Sequence, residues 1–137
     1  MTTLLLIRGL PGAGKTTYAS KWVGAVEFNR LAFSADDWMK DGNGRYVFQA
    51  ANLPVAHARC QHAARAALAT WCNVAVANTF SRRWAMQPYL DMAKELGAVL
   101  QIIDLFDAGL TDAELAARCV HGVPVDAIAR MRARWEP

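Results

Sequence analysis

The sequence predicts a three-layer α/β/α fold: about four parallel strands flanked by helices, with a short helical lid near residues 112–124. Three observations predict it. Strand-like and helix-like segments alternate along the chain. The strand segments are apolar throughout, as in strands covered on both faces. A glycine-rich turn, "GLPGAGKTT" (9–17), separates the first strand from the first helix.

The elements follow in order. "TLLLIR" (3–8) predicts a short buried strand, and "GKTTYASKWVG" (14–24) a helix capped by Gly24. "NRLAFS" (29–34) predicts a second strand with "ADDW" (35–38) at its carboxyl end, followed by the turn "KDGNGRY" (40–46). Along "LPVAHARCQHAARAALATW" (53–71), Ala56, Cys60, Ala63, Ala67 and Trp71 recur at helical spacing on one face. "NVAVAN" (73–78) predicts a third strand. "SRRWAMQPYLDMAKELG" (81–97) predicts a helix with Ser81 as its N-cap, Gly97 as its stop and Pro88 kinking its first turns. "AVLQIIDLF" (98–106) predicts the fourth strand. Thr111 and Glu114, spaced as a capping box, start a short helix to about Cys119, and Pro124 opens a last helix to Trp135.

The 137 residues point to one domain, 1–137, and 54% apolar content rules against disorder. No apolar run approaches the roughly 20 residues that span a bilayer, and the opening segment reads as a strand rather than a signal peptide. Cys60, Cys72 and Cys119 are an odd number without a C-x-x-C pair, which predicts reduced thiols and a cytoplasmic location. The net charge of +3 permits an anionic partner without demanding one.

Gly9-x-x-x-x-Gly14-Lys15-Thr16 is the phosphate-binding loop pattern in its required strand-to-helix context. Its glycines let successive N–H groups surround an anion, and the following helix adds its positive dipole end. Lys15 would reach the outer phosphates, and the Thr16 hydroxyl would supply an oxygen to Mg²⁺. The motif predicts ATP held by Gly9, Gly12, Ala13, Gly14, Lys15, Thr16 and Thr17.

Ligands of parallel sheets bind at the carboxyl ends of the strands. Asp36 and Asp37 fall there, either to orient an acceptor hydroxyl or to cap a helix. Asp37 is the further candidate for Mg²⁺. Asn78 and Thr79 end the third strand, and Asp104 and Asp107 read as strand end and loop. Arg118, near the end of the short helix, is either a lid arginine or a helix C-terminal residue bonding carbonyls. His121 reads as a loop residue, and His57, Gln61 and Arg65 as a solvated stripe. No Cys/His set has zinc-ligand spacing.

Five blocks, "LIRGLPGAGKTT", "SADDW", "LPVAHARC", "NT" with "WAMQPY", and "RCVHGVP" leading to "IARMRARWE", resemble the kinase domain of bacteriophage-type polynucleotide 5′-hydroxyl kinases. They are closer still to the small ATP-binding proteins related to the kinase domain of Nedd4-binding protein 2. The resemblance implies a P-loop kinase fold, Asp36 as general base and Arg118 over the triphosphate, so that Lys15, Asp36 and Arg118 carry the catalysis. Where the phage-type enzymes hold an acceptor phosphate with an arginine, this chain has Met39. Where relatives carry a carboxylate at the end of strand three, it has Ala77 and Asn78.

Three functions follow. The first is an ATP-dependent kinase acting on a 5′-hydroxyl of DNA or RNA. Arg82, Arg83, Arg130 and Arg134 would contact the nucleic acid, and Trp38 or Trp84 would stack a base. The second is a small-molecule kinase for a nucleoside, sugar or antibiotic hydroxyl. The third is an ATP-binding regulatory module with weakened chemistry.

Overall fold

In the computed structural model, which describes residues 1–137, the elements are β1 (Thr3–Gly9), α1 (Lys15–Gly24), β2 (Arg30–Phe33), α2 (Leu53–Ala69), β3 (Asn73–Asn78), α3 (Gln87–Leu96), β4 (Val99–Phe106), α4 (Asp112–Arg118) and α5 (Val125–Ala133). The four strands form one parallel sheet in the order β2-β3-β1-β4. The P-loop kinase-type α/β architecture expected from the sequence is present.

The side-chain alternation of β1 divides the core. Leu4 and Leu6, with Val74 and Val76 of β3, face α2 and α3 and pack against Cys60, Ala64, Leu68, Tyr89 and Met92. Leu5 and Ile7, with Ala75 and Ala77, face α1 and its Ala19. Alanines on β3 let α1 approach closely, because its own buried residue is equally small. The central strands are buried on both faces, as their composition requires. The edge strands are not: Leu31 on β2 and Ile102 on β4 are each 43% exposed. Apolar content therefore overstates the covering of the edges, which have a neighbour on one side only.

α1 keeps Gly24 as its last helical residue, and Ala25 with right-handed backbone (φ −71°) takes the cap expected of that glycine. Two further helices differ from expectation. α3 starts at Gln87, after a 3-10 turn over Arg83–Met86, and Pro88 lies in its first turn rather than kinking it. A proline lacks the N–H an interior position needs but is tolerated where that N–H would have no partner. Ser81 is no cap; its carbonyl accepts from Glu136 N–H at 2.8 Å. On α2 the buried stripe is Ala56, Cys60, Ala64, Ala67 and Leu68, and Trp71 lies beyond the helix end, 76% exposed. The backbone of Trp71 is left-handed (φ 66°), which ends the helical register before its side chain can follow it.

The Thr111–Glu114 capping box forms in both directions, each hydrogen bond at 3.2 Å. Leu115 of α4 is fully buried with Ile128 of α5 against Leu10 and Ala13 of the glycine loop. The root of the lid is thereby pinned to the loop, and the connection after Arg118 returns to the same apolar seat through Val123. No helix is long and apolar enough to cross a membrane.

Candidate functional site

The glycine loop leaves the carboxyl end of β1 beside that of β3, where Gly9 N–H donates to the Thr79 carbonyl at 3.2 Å. Strands β1 and β3 are neighbours whose flanking helices cover opposite faces, and ligands of open α/β sheets bind at such a crevice. Gly12 and Gly14 have φ of +84° and +101°, a region L side chains resist. α1 starts with no side-chain cap and no acidic residue in its first turn. The N–H groups of Gly12, Gly14, Lys15, Thr16 and Thr17 find no backbone acceptor. These donors and the helix dipole make an anion cradle.

Gly12 is also the seat of the lid. A Cβ there would stand 2.2 Å from the Leu115 carbonyl oxygen, a backbone atom that cannot swing aside. At Gly14 the nearest atom to a Cβ would be Arg118 Nη2, at 4.0 Å. α4 thus seats its backbone on one glycine and brings its terminal guanidinium beside the other. Gly12→Ala combines strain with overlap and should cost about 2–4 kcal/mol, visible as a lower denaturation midpoint. Gly14→Ala, with strain alone, should cost less.

Lys15 Nζ donates to the carbonyls of Gly9 (2.8 Å) and Leu10 (3.1 Å), inside its own loop. Burial lowers its pKa to about 8, opposed first by the Asp36 carboxylate and then by Cys119. The folded-state pKa lies below the ordinary lysine value, so the ammonium predominates well below pH 8 and is progressively lost as the pH rises through it. Phosphates entering the loop would restore the charge. Calorimetry in buffers of different ionisation enthalpy should therefore show proton uptake on ATP binding at pH 9, and little at pH 7.

Asp36 and Asp37 have separate jobs. In the capping box at the carboxyl end of β2, Asp37 accepts from Ser34 N–H at 2.9 Å while Ser34 Oγ accepts from Asp36 N–H. Asp37 thereby takes the capping role, and one of its carboxylate oxygens is committed to the backbone. Asp36 turns inward. Its Oδ1 lies 3.4 Å from the Tyr46 hydroxyl, which donates to it, and its Oδ2 lies 3.5 Å from His121 Nε2. The His121 and Tyr46 rings stack with centroids 3.9 Å apart. Burial, then the Asp36 charge, pushes the Tyr46 phenol up to about 12, so it stays a donor. Burial lowers the His57 pKa against the opposing pull of Asp36.

Asn78 occupies the position where a carboxylate was missed. Its side-chain oxygen accepts from Ala35 N–H at 2.8 Å, and its side-chain nitrogen lies 3.9 Å from Cys60 Sγ. It holds the chain immediately before Asp36 and leaves no oxygen turned to a metal. Met39 is 2% exposed in an apolar cluster with Ala35 and Ala56. The Met39 side chain packs inward and only borders a neighbouring hollow, so it offers no charge to an acceptor phosphate.

Of the basic residues, Arg82 and Arg83 have exposed side chains without ion-pair partners, beside Trp84, which is 75% exposed. Arg134 is likewise unpaired, whereas Arg130 pairs with Asp126 and Arg132 is held by Asp107 (2.6 Å) and Asp112 (2.8 Å). The last helix is therefore less available to a nucleic acid than its composition suggests. Two open hollows share Trp38. One of about 510 Å³ is lined by Trp38, Val55, Ala58, Arg59, His62 and Ala63, and one of about 180 Å³ includes Met39, Lys40 and Asn52. Neither includes a glycine-loop residue.

The sequence profile of the AAA domain family matches residues 4–137. The chain belongs to this family. This AAA domain is 29% identical over 136 residues to NEDD4-binding protein 2 of Homo sapiens, covering 97% of the chain and 8% of that protein. Among solved structures it is similar to a chain of the Pnkp1/Rnl/Hen1 RNA repair complex, with TM-score 0.76 and 22% identity over 97% of this chain and 43% of that one. It is also similar to a gluconokinase from Sinorhizobium meliloti, with TM-score 0.62 and 15% identity over 98% of this chain and 75% of that one. The chain thus spans only a small part of the human relative and under half of the repair-complex chain. A component of an RNA repair complex and a gluconokinase therefore share its fold.

Tyr46 and His121 are the members of the site that sequence reasoning passed over. The one available signal for His121 was its place three residues after Arg118 in a short Gly- and Pro-containing connection. Tyr46 had only its position at the end of a turn.

Proposed function

We propose that this domain transfers the γ-phosphate of ATP to a hydroxyl, with the 5′-end of DNA or RNA as the acceptor. The observation that carries the reading is the placement of Asp36: its Oδ2 lies 3.5 Å from His121, on the same short segment whose Leu115 carbonyl and Arg118 guanidinium approach Gly12 and Gly14 of the phosphate loop. Lys15 and the loop amides would bind the triphosphate, Arg118 would offset charge on the transferring group, and Asp36 would take the acceptor proton. The donors suit Mg²⁺ held by Thr16 and phosphate oxygens, since no cluster of three His, Cys, Asp or Glu side chains exists to hold a metal alone. When bound, Mg²⁺ would neutralise charge on the outer phosphates.

Arg82, Arg83 and Trp84, on the segment after β3, and Trp38 in its hollow support a nucleic-acid acceptor. The Pnkp1 likeness and the repair setting named for that structure point the same way. Free cysteines agree with a cytoplasmic location. One observation favours a small-molecule kinase instead: the burial of Met39, which removes a charged hold on the acceptor.

Phosphorylation of a 5′-hydroxyl oligonucleotide, measured against salt and beside a panel of sugars and nucleosides, decides between them. For the nucleic-acid reading, log(kcat/KM) should fall with log salt, and Arg82→Ala with Arg83→Ala should reduce the slope by about 1.4 if each contacts one phosphate. Good turnover with flat salt dependence, or faster turnover of a sugar, would overturn it. Tight ATP binding without turnover of any acceptor would leave the regulatory module.

A further inference from the structure

We propose that His121 is a positioning residue that ties the acceptor-side carboxylate to the lid, so that one short segment serves both halves of the site. The inference rests on the reading of Asp36 as the base. Within the seven residues 115–121, the chain makes three separate approaches. The Leu115 carbonyl seats against Gly12, Arg118 Nη2 lies beside Gly14, and His121 Nε2 lies 3.5 Å from Asp36 Oδ2. The first two belong to the phosphate loop and the third to the opposite wall.

The third approach is built, because His121 is not left to hang from a loop. Its ring stacks on Tyr46 at 3.9 Å with 28° between planes, and the Tyr46 hydroxyl donates to the other oxygen of the same carboxylate. Tyr46 is itself pinned beside Asp36: it bridges to Lys40, and Val47 N–H donates to the Met39 carbonyl at 2.7 Å. Asp36 is flanked at both oxygens, the Tyr46 hydroxyl donating to Oδ1 from its own side of the site and the His121 ring nitrogen standing 3.5 Å from Oδ2 on the lid. Each oxygen keeps a further lone pair, since a carboxylate offers about four acceptor positions.

The hold limits rotation about the Asp36 side-chain bonds, and a base is effective only when its lone pair meets the incoming O–H. In the step itself the acceptor oxygen bonds to the γ-phosphorus, the bond from that phosphorus to the β–γ bridging oxygen breaks with its electron pair leaving on ADP, and the acceptor proton passes to Asp36. His121 touches none of the reacting atoms. Because it lies three residues from Arg118, triphosphate contact by the arginine would also hold the imidazole against Asp36.

The test has two arms on the intact domain. In the kinetic arm, His121→Ala should lower kcat about 10- to 100-fold while changing the KM for ATP much less, and His121→Gln, which keeps a donor, should recover most of the loss. In an Asp36→Asn background the same change should cost almost nothing. The second arm needs no turnover: with Cys72 replaced by Ser, N-ethylmaleimide should alkylate Cys119 severalfold faster in His121→Ala than in its parent. An equal loss of kcat with and without Asp36, or an unchanged alkylation rate, overturns the proposal. Should the parent phosphorylate no acceptor, the function proposed above fails, and the alkylation arm still decides whether His121 anchors the lid.

Discussion

Asp36→Asn is expected to lower phosphotransfer about 10²- to 10⁴-fold, the usual worth of a positioned base, while ATP still binds at pH 7. The substitution keeps size and shape. An amide oxygen can accept from Tyr46 as the carboxylate does, but it cannot take a proton from a hydroxyl. A second consequence separates this from simple damage. Asp36 is the largest charge favouring the Lys15 ammonium against burial, so its removal should lower the Lys15 pKa below its present value of about 8. The pH above which ATP affinity declines should move down with it. Single-turnover rates and a pH series of binding constants measure the two effects separately. Undiminished turnover in a folded Asp36→Asn preparation would remove Asp36 from the chemistry.

The largest effect on stability should come from Arg8→Met. Arg8 is the next-to-last residue of β1, immediately before Gly9 of the glycine loop, and is 2% exposed. Its Nε and Nη2 donate to the Phe80 carbonyl, Nη2 donates to the Glu136 carbonyl at 2.6 Å, and Nη1 pairs with Asp104 at 3.5 Å. The guanidinium also lies 4.2 Å from the centre of the Trp135 ring, which in turn packs on Phe106. One side chain therefore joins β1, the turn after β3, the end of β4 and the C-terminal segment. Burial lowers the Arg8 pKa, with Asp104 the leading opposing charge. A buried charge is costly to hold, yet removing it strands the groups that were satisfied by it. The loss should be about 3–5 kcal/mol, or a Tm lower by roughly 10–17 °C. Arg8→Lys should recover little, because one ammonium cannot reach three acceptors in different directions. Thermal denaturation of the three proteins measures the order.

Both predictions concern residues whose partners are far away in the chain, and this separates what could be read in advance from what could not. In the sequence Arg8 was only the last residue of the predicted strand 3–8; its bonds reach 72 and 128 residues onward. Asn78 could be placed at the end of β3, but its hold on Ala35 depends on β2 lying beside β3. Met39 registered as the loss of an arginine. The fold adds that its side chain packs inward in an apolar cluster, which argues about acceptor charge more strongly than the substitution alone.

Asp36 and Asp37 make the same point at close range. As adjacent acids they were alike in residue pattern, and only the family resemblance singled out Asp36 as the base and left Asp37 for Mg²⁺. The 3-10 turn after β2 separates them, giving the capping bond to Asp37 and the inward direction to Asp36. The lid was visible as a capped helix followed by a Gly- and Pro-containing connection. That its root is immobilised by Leu115, while its end spans from Gly14 to Asp36, was not.

The amino-acid sequence alone determined the alternation of strands and helices, the parallel sheet, the phosphate loop and the lid capping box. Each depends on residues within a few positions of one another, through periodicity, glycine torsions or a three-residue hydrogen bond. Tertiary structure decided which acid caps the turn after β2, how Tyr46 and His121 meet over the other, and that Arg8 fastens the C-terminal segment to the sheet. Those contacts depend on strand order and on the packing of α4 against the loop, which arise only when distant segments share a core.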